Sequence, residues 1–258
     1  MTPPEAPSAP PPRGPSPGRE GSGGPFTPGE GPGHWPGAAC QARQRPGEAG
    51  SAASASANPD GHLVEHRIGG QTLLSGGFLD VCRDEVRLPD GSSATREYVR
   101  HPGAVAVIPI LDDGRLVMVR QYRYPVAKVL LEFPAGKLDP RESTLAGAMR
   151  ELAEETGYTA AEWAFGGEIH NAAAYTTESI WIWFARGLVA GTARPDAGEF
   201  VQTVLHTEAE LETIEAAGQL PDVKTIIGLR WLQLCRSGRR AWAWQSAQVA
   251  IDPMMAAR

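Results

Sequence analysis

The sequence predicts an α/β fold in which helices cover both faces of a mixed β-sheet, an α/β/α sandwich. Two observations predict it. Stretches with strand-like alternation or β-branched runs lie on both sides of a single acidic helix near the middle of the chain. Two further helical patterns follow towards the end of the chain, so that several helices are available to cover a sheet.

A low-complexity tail precedes this folded part. Residues 1–62 hold fourteen of the 23 prolines, long runs of Gly, Ser and Ala, and almost no large aliphatic residue. Such a segment buries too little apolar surface to offset the entropy cost of ordering it. We therefore expect a disordered tail over 1–62, a folded domain over 63–237 and a C-terminal extension over 238–258.

Charge and cysteine content exclude several classes of function. The net charge of -6 argues against a surface built to bind nucleic acid. No signal-peptide core and no apolar run of membrane-spanning length is present, so we expect a cytoplasmic protein with no membrane partner. Cys40, Cys82 and Cys235 are too far apart for a CxxC site and are predicted to be free thiols.

The region before the acidic helix is predicted to be all β. Loose alternation over 73–88, the turn residues Leu88–Gly91 and a further strand up to residue 99 indicate a hairpin or meander. A buried strand over 104–110, the turn Asp112–Gly114 and an antiparallel partner over 115–122 follow. A short strand over 130–133 leads into Pro134.

The acidic helix is predicted over 143–156. Leu145, Met149 and Leu152 recur with helical spacing, and Gly157 is a typical C-cap. Strands are then predicted over 163–169, 180–185 and 200–206. Thr207 and Glu210 form a capping box for a helix to about residue 217, and a last helix is predicted over 222–235.

Three carboxylates on this helix are candidate metal ligands. Glu151, Glu154 and Glu155 lie three and four residues apart and project together, where they repel one another unless a cation joins them. Oxygen ligands alone suit a hard ion such as Mg²⁺ or Mn²⁺. The alternative is a solvated acidic face, but Gly136 and Gly157 at fixed offsets on either side are harder to attribute to solvation.

The segment Gly136–Tyr158 resembles the Nudix hydrolase signature, Gly-x5-Glu-x7-Arg-Glu-aliphatic-x-Glu-Glu-x-Gly-aliphatic, at every fixed position, with Tyr158 as a hydrophobic stand-in at the last. Outside it, Arg96-Glu97, 101–105, 120–124 and 131–136 are similar to ADP-ribose pyrophosphatases and related nucleotide-sugar hydrolases. The resemblance implies the Nudix α/β/α sandwich. It also implies a homodimer in which the N-terminal strands contact a second subunit.

The resemblance also implies roles for individual residues. Glu151, Glu155 and the carbonyl of Ala135 would bind the metal, while Arg150 would clamp the carboxylates. Glu154 would be a further ligand or orient water, and Glu142 would be structural.

Three further positions match residues that bind substrate in that branch. Arg96 and Arg123 would bind phosphate oxygens, and Glu178 would accept hydrogen bonds from the hydroxyls of the terminal ribose. Considered alone, each of them is more often an ordinary surface, ion-paired or strand-entry residue.

The sequence departs from the branch at two loops. Residues 170–174 replace a proline-containing loop that lines the sugar pocket. In the late acidic loop Glu199 aligns with a metal-side carboxylate, but Ala197 stands where the branch has its general base. The base is therefore Glu199, which we favour, or Glu154, or Asp196 after a movement of the loop.

The function expected from these features is Mg²⁺- or Mn²⁺-dependent hydrolysis of a nucleotide sugar at its diphosphate bond. ADP-ribose, cleaved to AMP and ribose 5-phosphate, is the leading substrate, and GDP-mannose or another nucleotide sugar or dinucleotide is the alternative. A non-catalytic ADP-ribose sensor is a hypothesis of another class, although such proteins usually carry a degraded signature, and here every fixed position is present.

Overall fold

The computed structural model describes residues 58–247, which form eleven strands, three α-helices and two short 3-10 helices. Residues 1–57 and 248–258 lie outside the described part, and with them most of the predicted tail, Cys40 and the end of the extension. The elements are β1 (His66–Ser75), β2 (Asp80–Arg87), β3 (Ser93–Arg100), β4 (Ala104–Ile110), β5 (Leu116–Arg123), β6 (Lys128–Glu132), β7 (Ala135–Lys137), α1 (Thr144–Thr156), β8 (Tyr158–His170), β9 (Ser179–Ala190), β10 (Val201–His206), α2 (Glu208–Ala216), α3 (Val223–Arg236) and β11 (Gln245–Ser246).

The first three strands form a small antiparallel sheet in the order β1-β2-β3. It joins the rest of the domain where Val99 exchanges backbone hydrogen bonds with Tyr175 and Thr177, at 2.8 and 2.9 Å. Strand β1 begins at His66, earlier than the predicted start at residue 73. Two irregularities in its register, after Arg67 and after Thr72, interrupt the alternation by which a strand is recognised.

The main sheet is mixed, as predicted. Its strands follow the order β10-β5-β4-β9-β8-β11, with β6 also pairing with β5 and β7 with β4. Strand β4 runs parallel to β9 and antiparallel to β5 and β7. This places β7, the start of the acidic motif, at one end of the central strand β4.

Helices cover both faces of this sheet, so the α/β/α arrangement is confirmed. On one face, Ile108 and its neighbours pack against Leu229 and Leu232 of α3 and Leu211 of α2. On the other face, Val105 and Val107 pack against the apolar stripe of α1. Strand β4 therefore alternates between two cores, which explains why it is buried over nearly its full length.

The helix boundaries agree with the sequence prediction to within a residue or two. Ser143 caps α1 by accepting a hydrogen bond from the N–H of Ala146, and Gly157 ends it with a φ of 76°. The predicted capping box of Thr207 and Glu210 is present at α2. Asp222 caps α3.

The described domain continues beyond residue 237, where the sequence placed its end. Trp242 stacks on Phe184 with ring centroids 3.6 Å apart, and β11 adds a short strand beside β8. Within the described residues Cys82 and Cys235 form no disulfide bond, as expected. Within residues 58–247, no helix combines the length and the apolar character needed to cross a membrane.

Candidate active site

The site is built where the loop after β6 meets helix α1. Strand β7 pairs with β4, which fixes the backbone of Ala135 and Gly136 beside the helix. The carboxylate of Glu155 accepts a hydrogen bond from the N–H of Ala135 at 3.0 Å. A Cβ atom added to Gly136 would lie only 1.9 Å from Oε1 of Glu151. Only glycine therefore lets the loop approach the two glutamates this closely.

Glu155 and Glu151 are buried carboxylates, and among the described residues Arg150 is the one basic side chain that pairs with either of them. Glu155 is 2% exposed, and burial raises its pKa to about 8, helped by the negative charges of Glu151 and Glu199. Burial also raises the pKa of Glu151, although Arg150 opposes the shift. Ionisation of both groups is thus unfavourable without further positive charge, as expected for buried carboxylates that face one another.

Arg150 ties the other acidic residues together. Its Nε and Nη2 bind the two oxygens of Glu142 at 2.9 Å each, and this pairing is the main cause that lowers the pKa of Glu142. Its Nη1 binds Glu151 at 2.8 Å and Glu154 at 3.0 Å. Nη2 also donates to the carbonyl of Lys137 at 2.9 Å, so one guanidinium links the loop to the helix.

Glu199 reaches the same cluster from the loop before β10. Nε2 of Gln121 donates a hydrogen bond to its Oε1 at 2.8 Å, and the charge of Glu199 raises the pKa of both Glu151 and Glu155. An open cavity of about 560 Å³ lies beside it, with Arg120, Tyr122 and Phe200 in its wall. Asp196, the other loop carboxylate, is exposed.

The donor set fits a hard divalent cation. Carboxylate oxygens and a backbone carbonyl are the ligands such ions prefer, and a cation would offset the charge that burial makes unfavourable. In the described part of the chain, no three acidic, His or Cys side chains converge closely enough to form a ready-made metal site. Arg150 occupies one oxygen each of Glu151 and Glu154 in this arrangement.

The three predicted substrate-binding residues have different partners. Arg96, on β3, is exposed and donates hydrogen bonds to Glu65 from Nε and Nη2. Arg123, at the end of β5, forms a two-pronged pair with buried Glu132, and its charge opposes the raised pKa of Glu155. Arg123 therefore lies close enough to the cluster to act on it electrostatically.

Glu178 lies just before β9, in a separate polar group. Its Oε2 accepts a hydrogen bond from Nδ2 of Asn171 at 3.1 Å, and its Oε1 is 3.8 Å from Nε2 of His101. Burial lowers the pKa of His101, the charge of Lys137 lowers it further, and the negative charge of Glu178 opposes these effects.

Two further groups of residues lie beside the site, and no role was predicted for them from the sequence. Gln121 donates a hydrogen bond to Glu199, and Arg123 pairs with buried Glu132, which also binds Lys224; Lys224 in turn pairs with half-buried Asp222. A signal for Glu132 was available, because a lone carboxylate interrupts the apolar run from Leu130 to Phe133. Lys224 gave no such signal, since a lysine in the first turn of a helix is usually solvated.

Comparison with known proteins gives concordant matches. The NUDIX domain family matches residues 100–225. An ADP-ribose pyrophosphatase from Bacillus subtilis (strain 168) is 34% identical over 174 residues, which cover 67% of this chain and 94% of that protein. A methanol dehydrogenase activator from Bacillus methanolicus is 38% identical over 177 residues, which cover 67% of this chain and 96% of that protein.

A solved structure shares the fold. The crystal structure of an ADP compounds hydrolase aligns with a TM-score of 0.60 at 22% identity, covering 68% of this chain and 95% of that one. Hydrolases of the matched family generally use divalent metal cations. Since the two relatives align over almost their whole length and the acidic motif is built as described, the chain belongs to the Nudix hydrolase family, in the branch of the ADP-ribose pyrophosphatases.

Proposed function

We propose that this protein hydrolyses ADP-ribose to AMP and ribose 5-phosphate with Mg²⁺, for which Mn²⁺ can substitute. The observation that carries the proposal is the buried pair Glu151 and Glu155, packed against the backbone of Ala135 and Gly136, where burial raises the pKa of both carboxyls. The relative from Bacillus subtilis, named as an ADP-ribose pyrophosphatase, supports the choice of substrate. The open cavity of about 560 Å³ beside Glu199 is the place that we propose for part of the nucleotide sugar.

Glu151, Glu155 and the carbonyl of Ala135 would hold the cation. When bound, a divalent cation screens the charge of a diphosphate and lowers the pKa of water. Arg150 orients Glu151 and Glu154 through Nη1, and Arg123 supplies a guanidinium for a phosphate oxygen. We assign Glu178 to the terminal ribose and Arg96, like Arg123, to phosphate oxygens.

Glu199 is the proposed general base. Among the described residues its Oε2 has no hydrogen-bond partner, and its Oε1 is held by the neutral amide of Gln121. Glu154 instead pairs with Nη1 of Arg150, which also binds Glu151. Protonation of Glu154 would therefore weaken the ion pair by which Arg150 orients Glu154. Ala197 has no group that can accept a proton, and Asp196 is exposed.

We also propose a homodimer. Several large apolar side chains of the small sheet are exposed, namely Ile68, Leu73 and Leu74 on β1 and Phe78 in the connection between β1 and β2. A second copy that covers them would remove this apolar surface from water.

The second candidate function is hydrolysis of a nucleotide sugar other than ADP-ribose, or of a dinucleotide. The relative from Bacillus methanolicus is named as an activator of methanol dehydrogenase and is 38% identical. The loop over residues 170–174 differs from the branch and contacts Glu178, the residue proposed to bind the sugar. The identity of the sugar is therefore not fixed by the resemblance to the branch. GDP-mannose, another nucleotide sugar or a dinucleotide could therefore replace ADP-ribose.

A substrate panel tests the proposed activity. ADP-ribose, GDP-mannose, NADH and diadenosine polyphosphates would be incubated with the protein, with Mg²⁺ or with EDTA, and the products identified by chromatography. We expect AMP and ribose 5-phosphate from ADP-ribose, only with Mg²⁺, and slower turnover of the others. Binding of ADP-ribose without metal-dependent turnover of any compound would instead support the sensor hypothesis.

Substitution of the candidate bases tests the choice of Glu199. Loss of a general base lowers kcat by about a hundredfold or more. We expect that loss in Glu199→Gln and a smaller one in Glu154→Gln, measured with ADP-ribose and Mg²⁺ over a range of pH. Asp196→Asn is the matched control in the same loop and should retain activity. A larger loss in Glu154→Gln would move the role of base to the helix.

The raised pKa of Glu155 predicts a pH-dependent stability of the metal-free protein. The folded protein keeps a proton on Glu155 up to about pH 8, whereas the unfolded chain releases it near 4.5. The folded state thus binds more protons between these values, and stability falls as pH rises across them. In EDTA, the thermal midpoint of the wild type should fall between pH 5 and pH 8. That of Glu155→Gln should fall by at least about 3 °C less over the same range.

The control for this measurement is Glu162→Gln, because Glu162 is an exposed carboxylate paired with Arg186. Its pH dependence should match that of the wild type. If Glu155→Gln also followed the wild type, the carboxyl of Glu155 would not be the group that burial keeps protonated.

A further inference from the structure

A connected group of charged side chains lies beside the loop that carries Ala135. Glu132, at the end of β6, is 1% exposed and accepts hydrogen bonds from Nε and Nη2 of Arg123, at 2.8 Å each. Lys224, in the first turn of α3, is 7% exposed and donates to both Glu132 and Asp222, the latter at 2.9 Å. Among residues 58–247, Lys224 is the only basic side chain classed as buried.

We propose that Lys224 is a positioning residue for substrate binding, which acts through Glu132 to hold the guanidinium of Arg123 ready for a phosphate group. This inference rests on the proposed function and deepens it, because it assigns the diphosphate-binding strength of the site partly to a side chain that substrate does not touch.

The geometry of Arg123 is the first argument. Nε and Nη2 of the guanidinium both donate to Glu132. Nη1 has no hydrogen-bond partner among the described residues. The Arg123 side chain is 37% exposed, while the carboxylate that holds it is 1% exposed. A buried anchor thus fixes one side of a guanidinium whose other donors remain available to an anionic ligand.

Charge balance is the second argument. A pair of Arg123 and Glu132 alone carries no net charge, and a carboxylate beside a phosphate site weakens the binding of an anion. Lys224 offsets the charge of Glu132, while Asp222 balances Lys224 from the side of α3. Without Lys224, Arg123 would be the one remaining basic partner of Glu132 among the described residues, so the carboxylate would draw the guanidinium more strongly and weaken its hold on a phosphate group.

Helix α3 is anchored by hydrogen bonds that do not involve Lys224. Asp222 accepts hydrogen bonds from both the N–H and the hydroxyl of Thr225, at 2.9 and 2.6 Å. The hydroxyl oxygen of Thr225 accepts one from the N–H of Phe133 at 3.0 Å. These bonds already cap the helix and attach it to the loop, so the added contribution of Lys224 is its contact with Glu132.

Four variants of the full chain test the proposal: Lys224→Met, Arg123→Met, the double variant Arg123→Met/Lys224→Met, and Arg236→Met as control. Arg236 lies at the other end of α3 and pairs with Glu208, so it matches the loss of an ion-paired cation on the same helix. The measurements are the affinity for inorganic diphosphate by calorimetry, and KM and kcat for ADP-ribose with Mg²⁺.

We expect Lys224→Met to weaken diphosphate binding and to raise KM by about tenfold, the change that follows loss of one charged hydrogen bond, with little change in kcat. Because Lys224 acts through Arg123, the double variant should bind no more weakly than Arg123→Met. The control should bind like the wild type. If the fold-losses of diphosphate affinity in the two single variants multiply in the double variant, the proposal is overturned, because Lys224 would then act independently of Arg123.

Another double variant, Glu132→Gln/Lys224→Met, separates positioning from stability. It removes both charges of the buried pair, so the thermal midpoint should rise above that of Lys224→Met. Diphosphate affinity should nevertheless stay low, because Arg123 has lost its anchor. Recovery of affinity together with stability would show that Lys224 is merely structural and would overturn the proposal.

The calorimetric measurement keeps this inference separate from the proposed activity. If the wild type binds diphosphate with the expected pattern among the variants but hydrolyses no ADP-ribose, the positioning role stands and the proposed function fails. If the wild type does not bind diphosphate, with or without Mg²⁺, the positioning role is overturned.

Discussion

The contact between the backbone of Ala135 and Gly136 and the buried face of α1 is the constraint on which the rest of the site depends. It brings the carboxylate of Glu155 to the N–H of Ala135 and leaves no room for a side chain at Gly136. Two carboxylates thereby share a poorly solvated space, where both have raised pKa values. Added positive charge is most strongly stabilising in such a place, which is why we assign the cation to it.

The sheet makes this contact possible because its central strand is covered on both faces. Strand β4 supplies one set of side chains to the core under α1 and the alternate set to the core under α3, and it also pairs with β7. Movement of either helix would therefore disturb the loop between β6 and α1. Arg150 fixes the loop from the side of α1, while Thr225 fixes it from the side of α3 through the N–H of Phe133. Arg123, proposed to bind phosphate, and the proposed metal ligands of α1 are thus held from opposite layers of the same sandwich.

Much of this architecture could be predicted from local sequence. Ser143 and Gly157 marked the ends of α1, the capping box marked α2, and the spacing of the glutamates placed them on one face, because each signal depends on neighbours within a few residues. The start of β1 and the packing of Trp242 were missed, since a bulged strand and a tail stacked on the sheet have no local periodicity. The group around Arg123 joins residues about a hundred positions apart in the chain, so no local pattern could reveal it. The hydrogen bond from Gln121 to Glu199 also joins residues 78 positions apart, so no local pattern could reveal it either.

The central claim is that the buried pair Glu151 and Glu155 binds a divalent cation together with the carbonyl of Ala135. The most direct measurement is a crystal structure of the protein grown with Mn²⁺, in which anomalous scattering locates the ion. The account predicts an anomalous peak between these two carboxylates and the loop, and no such peak in crystals of Glu155→Gln grown in the same way. A peak found only at exposed carboxylates elsewhere, with Glu151 and Glu155 unchanged from their present contacts, would contradict it.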